Sequence, residues 1–191
     1  MQFVIVLLIA AAVFGVCYLV DKGFSRAFRG KAQHRSGMAV RANKRFGVFG
    51  VVLTVLGVMA FYIGIGDGPV LIVGGLIVFA MGVFLAVYYL SFGIFYDGES
   101  FLMSRFGKKD AVHRYEEIVG QKLYVVQGGS VVAELYLKDG STVSLQSTMD
   151  GVYPFLDTAF AGWCLQTGRD PESCDFHDPS KSLWFPPVEE S

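Results

Sequence analysis

The sequence predicts a membrane α-helical region joined to a small α+β domain. Three transmembrane helices come first, then an antiparallel β-sheet or small barrel capped by a C-terminal helix. Three observations carry this. Residues 46–92 hold one charged side chain, Asp67. Residues 21–45 concentrate eight Lys and Arg against a single acid, Asp21. From Gly93 onward the apolar residues alternate between short turns instead of running continuously. The composition agrees: 17% of the 191 residues are charged, where an ordinary soluble domain carries about 25%.

Residues 3–20 form the first apolar run and carry no charge. A secretory leader needs basic residues before its core and a small-residue exit after it. Neither is present, since the run leaves through Tyr18-Leu19-Val20-Asp21. A retained span is expected. The next segment, 21–45, carries Lys22, Arg26, Arg29, Lys31, Arg35, Arg41, Lys44 and Arg45. Short Lys/Arg-rich loops stay on the cytoplasmic side. The expected layout in the cell (inner) membrane therefore has the N-terminus outside, the basic loop inside and the C-terminal part cytoplasmic. The loop also suits lipid headgroups. It lacks a stacking platform and lies against a membrane, so nucleic acid is not an expected partner.

Spans two and three are expected at 46–65 and 70–92, split by Gly66-Asp67-Gly68-Pro69. Each is long enough for a hydrocarbon core of about 30 Å. Gly50, Gly57 and Gly64 recur every seven residues on one helix, and Gly75 and Gly82 on the other. In lipid, small residues let backbones approach closely. These stripes are read as the hairpin's own interface, with homo-oligomerisation as the rival use. The spans hold no ionisable residue of the kind that ion and proton pathways need.

Past Gly93, strands are expected at 93–96, 100–106, 111–115, 121–127, 131–137 and 141–146. Asp97-Gly98, Gly107, Gly128-Gly129 and Asp139-Gly140 punctuate them. A closing helix is expected over 149–167, with Asp150 as N-cap and an apolar stripe of Val152, Phe155, Leu156, Ala159, Phe160 and Trp163. Residues 169–191 read as an acidic, proline-containing tail. Within it Leu183-Trp184-Phe185 is expected to dock back, first of all on the domain. The domain boundaries are thus 1–92, 93–168 and 169–191.

The stretch FYDGESFLMSRFGKKDAVHRYEEIVG resembles the bacterial pleckstrin-homology-like (PH-like) domains of small membrane proteins. The likeness rests on Phe95-Tyr96, Asp97-Gly98, Arg105-Phe106, Gly107 and Tyr115-Glu116-Glu117-Ile118, and covers about 93–167. It implies a scaffold for protein or membrane contact with no shared catalytic residues. Eukaryotic lipid-binding members place Lys and Arg around the first hairpin. Here that hairpin is Asp97-Gly98-Glu99, which argues against phosphoinositide binding. Six strands are one short of the family's seven. Either one is hidden in Glu116–Gly120 or the barrel is incomplete.

No nucleophile set, phosphate loop or metal-ligand spacing stands out, so neither a cofactor nor an enzymatic activity is expected. Cys174 and His177 form a Cys-x-x-His pair that lacks two further ligands. Cys17, Cys164 and Cys174 are scattered, which fits a reducing compartment. The polar cluster singled out is Arg105, Lys108, Lys109 and Arg114, a candidate contact for the bilayer or for another protein.

Overall fold

The computed structural model describes Gly15, Tyr18, Lys22 and residues 38–105 and 109–188. The first expected span lies outside the described residues, except that Gly15 and Tyr18 are helical. The chain divides into two units, 1–29 with 42–92 and 30–41 with 93–191.

The helical unit is a hairpin. Helix α1 spans Lys44–Asp67 and α2 spans Pro69–Leu90. Asn43 caps α1 by accepting from the Arg45 backbone N–H at 3.0 Å. Gly68, at φ 131°, makes the turn in a region closed to side chains, and Pro69 starts α2 where a missing N–H costs nothing. Both helices are long and apolar enough to cross a membrane. Only 17% and 11% of their apolar windows are buried. The five stripe glycines lie between the two helices. A Cβ on Gly57 would sit 2.4 Å from the Phe79 backbone N, and one on Gly82 would sit 2.4 Å from that of Thr54. Such contacts require glycine.

The second unit holds two antiparallel sheets, ordered β1-β2-β3-β4 and β5-β6-β7. Their strands are β1 Ala39–Arg41, β2 Phe92–Tyr96, β3 Ser100–Arg105, β4 Ala111–Arg114, β5 Ile118–Val125, β6 Val131–Leu137 and β7 Thr142–Gln146. Helix α3, Val152–Thr167, follows. Strands β2 to β7 fall where the turn residues place them.

Four expectations need correction. Residues 39–41, read as the end of the basic loop, are a strand paired with β2, Ala39 opposite Phe95 and Arg41 opposite Gly93. The seventh strand therefore precedes the helical hairpin. The segment 116–120 hides none: Tyr115–Glu117 is a 3₁₀ turn, and Ile118 already begins β5. The strands lie in two separate sheets and close no barrel. Asp150 does not cap α3, because its backbone N–H and C=O pair with Arg41 at 3.0 and 3.1 Å. Gly151, at φ 85°, fills the cap position instead.

The core lies between sheets and helix. Phe101, Tyr115, Leu135, Val143, Leu145 and Phe155 are fully buried. Trp163 donates from Nε1 to the Ile118 carbonyl at 3.0 Å, so α3 is tied to β5 by a polar contact as well as by its apolar stripe. The last segment is not a loose tail. Trp184 and Phe185 are 2% and 0% exposed, Phe185 packs on Trp163, and Pro187 adds a parallel bridge to Gln121 on the open edge of β5. Buried Gln121 holds this strap: its Oε1 accepts from the Trp184 and Phe185 backbones at 3.0 and 3.1 Å. Its Nε2 donates to the Ser182 carbonyl at 2.8 Å.

Candidate functional site

In the meander β1 to β4, alternate connections share one end of the sheet. The end of β1, the start of β2, and Arg105 and Ala111, at which the connection from β3 to β4 begins and ends, therefore lie together. From this end the chain leaves for α1 through two residues and returns from α2 through one, Ser91.

A groove of about 260 Å³ opens beside this connection, between β3–β4 and the β6–β7 turn. Its polar lining is Arg105, Lys109, His113, Asp139, Ser141 and Thr142, over a floor of Met103 and Ala111. Arg105 spans the gap between the sheets and donates from Nη2 to the Thr142 carbonyl at 2.9 Å. Asp139 is held below the usual carboxylate range by Ser141, whose backbone N–H donates to its Oδ1 at 2.8 Å. It therefore stays ionised and offsets part of the cationic charge.

His113 lies outside the basic cluster to which the sequence points. On β4 its neighbours Val112 and Arg114 face solvent, while His113 is 5% exposed. The alternation of Val112, His113 and Arg114 was the available signal. The Tyr115–Glu117 turn brings the Glu117 carboxylate back to His113 Nδ1 at 2.8 Å. The opposite nitrogen, Nε2, is buried with no partner among the described residues.

Arg105 and Lys109 line the groove together. Arg114 faces solvent and pairs with Glu116 at 3.1 Å. Lys108 lies outside the described residues, as do Arg26, Arg29, Lys31 and Arg35. Of the remaining loop cations, Lys22 sits 5.7 Å from the Tyr18 ring centroid, Arg41 is in β1, and Lys44 and Arg45 form the first turn of α1. Cations at a helix N-terminus oppose the helix dipole. Helix stability therefore does not explain Lys44 and Arg45.

Among the described residues no three His, Cys, Asp or Glu side chains gather as a metal site. The groove presents fixed donors, one carboxylate and one unpaired imidazole nitrogen, an arrangement suited to recognising a polar group. No family model, curated protein or solved structure matches the chain.

Proposed function

We propose that this is a non-enzymatic, multi-pass protein of the cell membrane that presents a PH-like module to the cytoplasm to recruit or regulate a partner. The observation that carries the reading is the insertion of an apolar, solvent-exposed helical hairpin between the first and second strands of a sheet domain. Sheets of four and three strands followed by one helix supply the seven strands that the PH-like resemblance calls for. Connectors of two and one residues join the sheet unit to the hairpin. Lys44 and Arg45 then mark the cytoplasmic boundary of α1, where anionic headgroups offset their conflict with the helix dipole.

A photo-crosslinking residue at Lys109, in the full chain in native membranes, tests this. The proposal expects one defined protein adduct that disappears in an Arg105→Glu variant. Adducts to lipid alone would contradict partner recruitment through this groove.

A second reading is an accessory subunit of a larger membrane complex or transporter. The hairpin carries an apolar dent of about 190 Å³ lined by Gly57, Val58, Phe61, Leu76 and Phe79, a shape that suits a neighbouring helix. A stoichiometric partner retained in mild detergent after loss of residues 93–191 would favour that reading.

A further inference from the structure

Beyond the groove, the described chain holds two cysteines, buried Cys164 on α3 and half-buried Cys174 in the strap. The strap turns back on the helix directly after its end. The Arg169 backbone N–H bonds to the Cys164 carbonyl at 2.9 Å, and the Arg169 guanidinium lies 5.0 Å from the Trp163 ring. Past the turn, Phe176 meets Trp163 edge-on at 6.1 Å, and His177 stacks on Phe160 at 3.7 Å. These contacts seat the segment 174–177 on the face of α3 that bears Phe160, Trp163 and Cys164. The Cys174 Sγ donates to the Asp170 carbonyl at 3.4 Å, in the turn that follows α3, and the segment it begins lies over the helix face that carries Cys164.

We propose that Cys164 and Cys174 are a peroxide-oxidisable pair whose disulfide staples the C-terminal strap to α3. Burial pushes the Cys164 thiol up to about 11, so it is a poor first nucleophile. The more exposed Cys174 reacts first. Its thiolate attacks one peroxide oxygen, the O–O bond breaks, and after proton transfer Cys174 is a sulfenic acid with one water released. The Cys164 sulfur then attacks the Cys174 sulfur and surrenders its proton, and the hydroxyl leaves as a second water. Two thiols and one hydrogen peroxide thus yield one disulfide and two waters. In a reducing compartment the resting pair is dithiol, and the staple closes only under oxidant. It would fix the segment leading to Trp184 and Phe185, and so lock the covered edge of β5.

The test uses the full chain in mild detergent, with Cys17→Ser to leave only this pair. One equivalent of hydrogen peroxide is added, followed by intact-mass measurement and peptide mapping. The expected result is loss of two hydrogens per chain and a peptide linking Cys164 to Cys174. In a further Cys164→Ala variant, Cys174 should accumulate as a sulfenic acid that dimedone traps. Oxidation of Cys174 beyond sulfenic acid while Cys164 stays a free thiol would overturn the proposal. So would disulfides between chains, or no reaction at either site. None of these results depends on which partner the module recruits.

Discussion

Single residues hold the sheet unit together by completing hydrogen bonds that the backbone leaves open. Gln121 is the clearest case. Its amide answers two buried strap N–H groups and one part-buried strap carbonyl. Gln121→Ala strands these groups and should cost about 3 kcal/mol, since each buried group left unpaired costs about 1–3. Denaturant unfolding of the solubilised protein measures this, and faster proteolysis within 182–188 should accompany it. Tyr115 acts on the other side of the core, where its hydroxyl donates to the Asp97 and Ser100 carbonyls. Burial, then the negative charges of Asp97 and Tyr96, raise its folded pKa above the ordinary 10. A raised folded pKa means that its stabilisation is complete below pH 10 and is lost as pH rises toward the folded value. Tyr115→Phe should therefore unfold with a smaller decline in stability above pH 10 than the parent, a difference that alkaline melts would record. Arg114, paired with Glu116 at the surface, should give less than about 1 kcal/mol on conversion to Ala.

At the scale of elements, the hairpin depends on close backbone approach. Gly82→Val forces a side chain into the Thr54 backbone and Oγ1, whereas a Cβ on Gly74 meets open space. The first change should separate α1 from α2 and lower the melting temperature in detergent. Gly74→Ala should leave it unchanged. Equal melting of the two variants would contradict glycine-mediated packing. These glycines were legible because their seven-residue spacing follows from helix geometry alone. Strands β2 to β7 were legible because Asp97-Gly98, Gly128-Gly129 and Asp139-Gly140 punctuate them locally. Strand β1 was not, since Ala39–Arg41 is three residues long and its partner lies beyond the whole hairpin. The groove was half legible. Arg105 and Lys109 stood out by charge, but His113 joins them through its inward position on β4, and its contact with Glu117 depends on a 3₁₀ turn that local charge does not reveal. The β6–β7 turn that supplies Asp139 comes from the other sheet, which no local spacing reveals.

For the molecule as a whole, two periodicities share one chain. Continuous apolar helices interrupt an alternating sheet between its first and second strands, so the sheet unit is tied to the hairpin at both ends of the insertion. If lipid surrounds the hairpin, the Gly66–Gly68 turn and the sheet unit lie on opposite sides of the bilayer. Cysteine labelling in intact cells tests this directly. All three native cysteines are replaced by Ser, and one new cysteine is placed either at exposed Gly66 or at exposed Gln127 in the β5–β6 turn. A membrane-impermeant maleimide should label Gly66→Cys in intact cells and Gln127→Cys only after permeabilisation. Labelling of Gln127→Cys from outside intact cells, or recovery of the chain in the soluble fraction, would contradict the account.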